Sequence, residues 1–570
     1  MSTSRRNGTK GAWLHAIAVA ICAACSATAA AQVELLPVDH PASNLLIQLS
    51  QFGVLPDLPV EHLPFSVGEA MTWLEKALRD AHLPKSLEQR SRFLLEELRS
   101  AVGQSQDLAL LAANDSSRPF FVEPLTDLPI VIASYRDSSN TSRFTLHPIG
   151  EAEVRVDPSR SETAVIARFG ARLQGTIGEH VGFAAAATNG SIAGDLDLAR
   201  RDSSIVHNGA FGVTSFGRDV AASTGHARVE AWGGAAEIGR EKIALGANGS
   251  RSLLLTSDLP IEHDYIRLHA RLGVLSFSHI HAALLGDALA GDDHGPFAQI
   301  PSKHVALHLL TIGPVAGCRL SMGESVVYSG RGFEIGYLNP FVFMKTHEQY
   351  LRDRDNGNLY VSFSARPGTG IFLEGELLID DLRFSQIGKG YWGNKTAWRV
   401  TSRFLERIAG VDLGVSYTRL EPYALTHFNV ANTYAHVGSP LSGGGLDPNS
   451  FLVEPTIDWR PFARLQVTGR LGLGRHGSNI IGLDSVTGND TLLFNAGGDI
   501  RQTRRAGIDS DTVSFLEGDR QRLLRAELVA EYEPLHSVYL RLYVRFHETV
   551  GDRGTRTDTQ IRFALRVGAH

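Results

Sequence analysis

Apolar and polar residues alternate strictly near the end of the chain, in the eleven-residue stretch SVYLRLYVRFH at 537–547. One face of this stretch carries only apolar side chains: Val538, Leu540, Leu542, Val544 and Phe546. The other face carries tyrosine, arginine and histidine. Alternation with a period of two predicts a strand whose faces meet different surroundings. An apolar face backed by charge is typical of a barrel wall with lipid outside and water or a polar plug inside, and a tilted membrane strand needs roughly 9–11 residues.

The same period recurs from about Phe120 onward, broken by Gly, Asn and Asp. Short turns are predicted at 178–180, 233–234, 273 and 367–368, and longer polar connections at 190–224, 285–302, 422–449 and 477–520. Short turns at one end and long loops at the other are the rule for outer-membrane barrels. The region from Phe120 holds 570 − 119 = 451 residues. At about 25 residues for each strand and its share of loops, it predicts an all-β transmembrane barrel of about 18 antiparallel strands.

The first 31 residues resemble an export signal. Three basic residues precede the apolar stretch 16–24, and Ala29-Ala30-Ala31 supplies a small-x-small cleavage site. We therefore predict a signal peptide over 1–31 and a mature chain that begins at Gln32. Lipoprotein cleavage before Cys25 is the alternative.

Residues 39–102 have helical periodicity instead. Gly53 is expected to end a first helix, and Ser66–Glu69 and Ser86–Gln89 have the spacing of capping boxes that open two more. The sequence thus predicts a small helical bundle on the periplasmic side over 32–118, followed by the barrel over 119–570. The bundle could be a separate domain or a cap on the barrel mouth.

Composition narrows the class of protein. The formal charge is −6, and removal of the three basic residues of 1–31 gives −6 − 3 = −9. There is no basic stripe for nucleic acid, and after the N-terminal segment no apolar run reaches the 18 residues of a membrane helix. Mean hydropathy is −0.06, but alternating strands average out on such scales. Cys318 is the single cysteine after residue 31, so no intramolecular disulfide can form.

Two stretches resemble the capsule-assembly Wzi family: the helical segment HPASNLLIQLSQFGVLPDLPVEHLPFSVGEAMTWLEKAL, and Ile238–Leu268, likened to an apolar strand of that family. The closest likeness is a GExxxYxGR…YLNPxxF motif, carried here by Gly323, Glu324, Tyr328, Gly330, Arg331, Tyr337, Leu338, Asn339, Pro340 and Phe343. Ala244-Leu245-Gly246 departs from the family, where a tryptophan is more usual. The resemblance implies an outer-membrane barrel of about 18 strands with an N-terminal helical bundle, which retains capsular polysaccharide as a lectin rather than as an enzyme.

The motif supplies the candidate ligand-binding residues. Glu324, Arg331 and Asn339 could hydrogen-bond sugar hydroxyls, and Tyr328 or Tyr337 could stack on a sugar ring. The architectural alternative is that the glycines permit a bend, Asn339-Pro340 makes a turn and the charges of Glu324 and Arg331 pair within the wall.

Other chemistry is sparse. The sequence has no zincin, nucleophile-elbow or Walker A motif, and we expect no catalytic residue, no cofactor and no metal. His269, His279 and His281 are expected to be polar-face residues of strands rather than ligands. Six arginines are expected to face inward and to pair with glutamates across the lumen: Arg470, Arg525, Arg541, Arg545, Arg562 and Arg566 with Glu374, Glu376, Glu527 and Glu531. Trp232, Trp392, Trp398 and Trp459 are assigned to the aromatic girdles at the membrane interfaces.

The sequence hypothesis is a non-catalytic barrel in the outer membrane of a Gram-negative bacterium that binds or retains surface polysaccharide. Its expected partners are outer-membrane lipid, that polysaccharide and, during biogenesis, the barrel assembly machinery. Three alternatives stay open: a porin or carbohydrate diffusion channel, an outer-membrane enzyme, and a scaffold that binds no sugar. Gly568-Ala569-His570 follows Val567 where bacterial barrels often end on an aromatic residue, and we have no physical account of this tail.

Overall fold

The wall of the molecule is a closed antiparallel barrel, as the alternation predicts. The computed structural model describes residues 32–80, 82–102, 131–137, 141–202, 204–205, 209–210, 218–247, 251–259, 262–286, 300–436, 438–483 and 490–568. Of the twenty strands in this sheet, Ala133–Arg136 and Gly209–Ala210 are short additions to a neighbour. The other eighteen described strands form the ring, which the pairing of the last strand with the first closes.

The ring strands, in chain order, are β1 Arg143–Asp157, β2 Glu162–Ile177, β3 Val181–Gly194, β4 Asp219–Ala231, β5 Gly234–Glu241, β6 His263–Leu272, β7 Leu275–Leu284, β8 Lys303–Val315, β9 Cys318–Ser329, β10 Asn356–Gly368, β11 Ile371–Asp381, β12 Lys395–Ile408, β13 Val411–Leu420, β14 Ser450–Phe462, β15 Leu465–Ser478, β16 Asp519–Leu535, β17 Val538–Gly551 and β18 Gly554–Gly568. Outward residues such as Phe363 and Leu471 are exposed, whereas Ser362 and Ser364, on either side of Phe363, are buried. This alternation matches a lipid-facing wall.

The two ends of the barrel differ in their connections. At one end every turn is short, at 178–180, 232–233, 273–274, 316–317, 369–370, 409–410, 463–464 and 536–537. The longer connections lie at the other end, at 195–218, 242–262, 285–302, 330–355, 382–394, 421–449 and 479–518. Short turns are periplasmic and long loops extracellular in outer-membrane barrels, which orients the molecule.

Three helices form the N-terminal bundle: α1 Pro41–Phe52, α2 Val67–Asp80 and α3 Lys85–Ala101. Gly53 ends α1 with a left-handed φ of 100°, as predicted. Ser66 and Glu69 exchange the two hydrogen bonds of a capping box, of 2.8 and 3.1 Å. The second predicted capping box is wrong, because α3 begins after Pro84 and the Ser86 hydroxyl donates to Glu406 of the barrel instead. No helix in the described ranges is long and apolar enough to cross a membrane.

The bundle lies in the periplasmic mouth and contacts the inner face of the wall. Arg319 of β9 pairs with Glu61 at 3.3 Å and donates to the carbonyl oxygens of Pro56 and Leu58. Four strands farther around the wall, the Gln48 amide donates to Asp412 of β13 at 2.7 Å. The backbone before α1 also contacts the wall, since the Leu35 amide donates to His226 of β4 at 2.9 Å.

Two long connections fold inward from the extracellular end. Residues Ala244–Leu245 of the first pair as a two-stranded sheet with His62–Leu63 of the bundle. The Glu376 carboxylate of β11 holds this connection by accepting from the Leu253 amide at 2.9 Å. The second connection, 421–449, joins it where the Gly443 amide donates to the Ser252 carbonyl at 2.7 Å.

An apolar core occupies the part of the lumen that β6 to β14 enclose. Leu253, Leu254 and Leu255 pack there with inward side chains of the wall such as Ile280 and Leu307. A polar cavity of about 200 Å³ lies beside this core, between α1 and the wall, and Gln48, Arg403, Asp458 and Arg470 are among its lining residues. The lumen of the described barrel is thus occupied from both ends.

Candidate functional site

The predicted ligand-binding motif lies on the outer face of the wall rather than in the lumen. Inward positions of β9 are odd-numbered, as for Arg319 and Ser321, so Glu324 and Tyr328 point outward. Both are nonetheless buried, because residues 330–355, called here the outer-wall segment, fold back over β7, β8 and β9. This segment contains the short helices α5 Ile335–Leu338 and α6 Met344–Tyr350. The helix that precedes them in the chain, α4 Leu196–Arg200, lies in the connection 195–218.

Glu324 caps α6. Its carboxylate accepts from the backbone amides of Met344 and Lys345 at 2.9 and 3.3 Å, and His308 Nδ1 lies 3.2 Å from Oε1. A carboxylate at a helix N-terminus satisfies amides that lack an intrahelical partner. The carboxylate therefore ties the outer-wall segment to the wall.

The other motif residues form one connected group. Arg331 makes a two-pronged ion pair with Asp355 at 2.9 and 2.6 Å, and the Tyr337 hydroxyl donates to the same carboxylate at 2.9 Å. Burial and Asp355 both raise the pKa of Tyr337. Arg331 also lies over the Tyr328 ring at 4.6 Å, and Asn339 accepts from the Phe341 amide at 3.0 Å.

These contacts agree with the architectural alternative except for its ion pair, because Arg331 pairs with Asp355 and not with Glu324. Asn339 is the one exposed residue of the five. Sugar contact by Glu324, Tyr328, Arg331, Tyr337 and Asn339 stays a prediction.

The histidines named from the sequence fall on opposite faces of the wall. His269 faces inward and contacts the Ser278 hydroxyl at 3.0 Å, whereas His279 and His281 face outward beneath the outer-wall segment.

In the described ranges, one group has the spacing of a metal site: Glu97, Glu533 and His536, whose ligand atoms lie within 4.8 Å of one another. These residues could hold a divalent cation at the periplasmic mouth. Burial raises the pKa of Glu97 to about 7.

Inward arginines do pair with acids, in part with other acids than predicted. Arg470 lies 3.6 Å from Glu527, one of the predicted acids, but Glu527 is its cross-strand neighbour on β16 and not a partner across the lumen. Arg562 instead pairs with Asp202 at 2.8 Å, and Arg545 pairs with Asp558. Arg525 donates to the backbone carbonyls of Gly444 and Gly445 in the inward connection. These contacts hold strands and connections together, so these four arginines already have partners within the protein.

A different set of side chains carries binding chemistry at the extracellular end. The group is called here the rim cluster and consists of Arg383, Tyr391, Trp392, Lys395 and Arg504. The Arg383 guanidinium lies 5.0 Å from the centre of the Tyr391 ring. Lys395 and Arg504 lie 5.7 and 5.1 Å from the centre of Trp392. Both are also ion-paired, Lys395 with Asp381 at 2.9 Å and Arg504 with Asp511 at 2.6 Å, which leaves Arg383 as the exposed cation of the cluster. Both rings are half-buried, and Arg383 and the nearby Lys389 are exposed.

Neighbouring connections hold the rim cluster in place. The Trp392 amide donates to the Asp511 carbonyl at 3.1 Å, and the Val513 amide donates to the Gly390 carbonyl at 2.8 Å. Asn449, at the end of the connection 421–449, joins it to β15 and to the connection 479–518, since its side-chain amide nitrogen lies 2.8 to 3.2 Å from the carbonyl oxygens of Gly477, Ala496 and Glu517. The aromatic surface is therefore built on cross-linked backbone.

The sequence interpretation missed this cluster. The sequence predicts an interface girdle for Trp392, whereas this residue lies in the connection 382–394 and not in a strand. The available signal was local: two adjacent aromatic residues follow Gly388-Lys389-Gly390 where the period of two is absent. By contrast, Trp459 is on the outer wall, and Trp232 is 91% exposed at a periplasmic turn.

Comparisons with known proteins show the fold. No family model matches the sequence, and no curated protein matches it. Among solved structures, the chain is similar to Wzi of Escherichia coli, with 12% identity, a TM-score of 0.55, and coverage of 94% of this chain and 99% of Wzi. Wzi is described as an outer-membrane protein involved in group 1 capsule assembly and a carbohydrate-binding β-barrel. OprD of Pseudomonas aeruginosa also matches, with 11% identity, a TM-score of 0.42, and coverage of 75% of this chain and 95% of OprD. The chain thus has a Wzi-like fold, that of an outer-membrane β-barrel.

Proposed function

We propose that this protein is a non-catalytic outer-membrane barrel that binds surface polysaccharide at its extracellular end and retains it at the cell. The observation that carries the proposal is the rim cluster, with its aromatic rings and cations on the extracellular side of an occupied lumen. Aromatic faces suit the apolar faces of sugar rings, and guanidinium groups suit their carboxylates. The description of Wzi as a carbohydrate-binding barrel supports the same function.

The occupied lumen favours attachment over diffusion. A porin needs a continuous aqueous path, whereas here the bundle and the connection 242–262 meet as a sheet inside the barrel. The purified protein is expected to insert into planar bilayers without steady ohmic openings. Such openings would move the proposal to a diffusion channel.

The binding test compares two tryptophans at opposite ends of the barrel. The protein, held in nanodiscs, is titrated with polysaccharide extracted from the surface of the cells that produce it, and with dextran as a neutral comparison. Trp392→Ala is expected to weaken binding at least about tenfold, or about 1.4 kcal/mol, as for the loss of an aromatic anchor.

Trp232→Ala, which removes an exposed tryptophan at the periplasmic end, is the matched control and is expected to bind like the wild type. Equal affinity of all three proteins, with unchanged melting curves, would contradict the role of the rim cluster. In cells, deletion of the gene is expected to release polysaccharide into the medium.

We further propose that residues 1–31 are a cleaved signal peptide and that the mature chain divides into a bundle over 32–118 and a barrel over 119–570, delivered through the barrel assembly machinery. Gln32 is buried and its carbonyl accepts from the Gly68 amide at 2.9 Å, so a mature chain that begins here would be packed against α2 from its first residue. N-terminal sequencing of the protein from outer membranes tests the cleavage site.

A further inference from the structure

The outer face of β7, β8 and β9 changes character along its height. Near the periplasmic turns it is apolar and exposed, at Leu275, Leu320 and Met322. Farther up, the same outward rows carry polar side chains that are all buried under the outer-wall segment: His279, His281, His304, His308 and Glu324. A polar patch on a membrane-facing wall is costly unless it is covered.

The covered patch lies at the level of the membrane. Glu324 and Tyr328 follow the turn residue Gly317 by 7 and 11 positions. A strand that rises about 3.3 Å per residue with a tilt near 40° places them roughly 17–28 Å above the turn, within or at the upper edge of an apolar band about 25 Å tall. On β14, the outward residues are apolar over a similar height, from exposed Trp459 up to half-buried Phe451.

The outer-wall segment is apolar on its outside. Ile335 is 79% exposed, Phe341 94% and Tyr350 80%, and Phe333 and Phe343 are also more than half exposed. The Tyr337 hydroxyl and the charged groups before Arg352 point the other way: the hydroxyl and Arg331 meet buried Asp355, and the Lys345 amino group meets buried Glu348 at 2.7 Å. The exposed uncharged polar residues of the segment are Asn339, Thr346 and Gln349.

This arrangement is inverted with respect to a loop that faces water, which exposes polar groups and buries apolar ones. The exposed charged residues Arg352, Asp353 and Arg354 gather at its end, directly before β10 begins at the extracellular side. That is where lipid headgroups lie, so the segment has an apolar part and a charged edge in the order of the outer leaflet.

We propose that the outer-wall segment is a lipid-binding element, which inserts Ile335, Phe341 and Tyr350 among the acyl chains of the outer leaflet and seals the polar patch of the wall from them. The segment would thus anchor one side of the extracellular rim in the membrane. This proposal is independent of polysaccharide binding, which uses the rim cluster.

The test measures the surroundings of a spin label on the full-length mature protein in bilayers of phosphatidylcholine and phosphatidylglycerol. Cys318→Ser removes the one native cysteine after residue 31, and a label is then placed by Phe341→Cys or Tyr350→Cys. Collisions of the label with oxygen, which partitions into lipid, are compared with collisions with a water-soluble nickel complex. Phe363→Cys, on the exposed outer wall, is the lipid standard, and Ile508→Cys, 73% exposed in the connection 479–518, is the water standard.

The ratio of oxygen to nickel accessibility at residues 341 and 350 is expected to match that at residue 363 and to exceed that at residue 508 at least about threefold, because the apolar band excludes ions. A ratio equal to that at residue 508 would overturn the proposal. Low accessibility to both reagents would also overturn it, because it would show that protein, such as a second copy of the chain, covers the segment.

Discussion

Arg319→Ala is expected to release the bundle from the barrel without unfolding the wall. The guanidinium is 2% exposed and contacts only bundle atoms in the ion pair with Glu61 and the bonds to Pro56 and Leu58 described above. Its loss leaves the Glu61 carboxylate buried, at 4% side-chain exposure, without this cation. Breaking one partner of a buried pair costs about 3–5 kcal/mol, so the docking equilibrium should weaken between about a hundredfold and a few thousandfold.

Hydrogen exchange resolves this effect by region. Amides of α1 and of residues 54–63 should lose protection in Arg319→Ala, while amides of β14 to β18 keep theirs. Arg240→Ala is the matched control: its pair with Asp264 has the same geometry of two bonds near 2.7 Å but is half exposed on the outer wall, and such pairs contribute at most about 1 kcal/mol. Unchanged protection of the bundle in Arg319→Ala, or an equal loss throughout the wall, would refute the assigned role of this residue.

Two further predictions concern the bundle and the extracellular connections. Burial lowers the pKa of His62 to about 3 and that of His40 to about 4, so both are neutral in the folded bundle and gain a proton on unfolding below their ordinary pKa of 6.5. The stability that the two neutral histidines contribute to the folded bundle is complete above pH 6.5 and is lost as the pH falls, by about 2 kcal/mol each at pH 5. Hydrogen exchange of bundle amides at pH 7.5 and at pH 5 measures this loss. Equal protection at both pH values, after correction for intrinsic exchange rates, would contradict the prediction. Asn449→Ala removes the side-chain hydrogen bonds that join the connection 421–449 to β15 and to the connection 479–518, at a residue with a left-handed φ of 57°, and should destabilise the rim by at least about 2 kcal/mol. Proteolysis within 495–518 should accelerate in this variant and not in Asn339→Ala, which loses one bond in an exposed turn; equal rates would argue against the joining role.

The wall was predictable because one physical rule acts on every strand. Lipid on one side and protein or water on the other impose a period of two, which is visible in β17 from the letters alone. Gly53 and the Ser66–Glu69 box were predictable for a similar reason, because their hydrogen bonds are local. The Ser86–Gln89 box failed because a tertiary partner, Glu406, is some 320 positions away and takes the serine hydroxyl.

The candidate site was less predictable because the face of a residue depends on what covers it. Alternation places Glu324 and Tyr328 on the outer row of β9, but no pattern within β9 shows that the chain returns over that row after Gly330. The inward connections were hidden in the same way: Leu253-Leu254-Leu255 is as apolar as a wall strand, and only the lumen core explains it. Trp392 could have been separated from the girdle tryptophans, because its neighbours do not alternate.

The contacts between His62–Leu63 and Ala244–Leu245, and between Glu97 and Tyr539 at 3.3 Å, constrain the order in which the molecule is assembled. The helices leave the export channel first, yet their partners are synthesised 180 and more than 440 positions later. The bundle can make all of its contacts with the wall only after β17 is in place. Insertion into the membrane and occlusion of the lumen are therefore successive events, and occlusion marks a finished molecule.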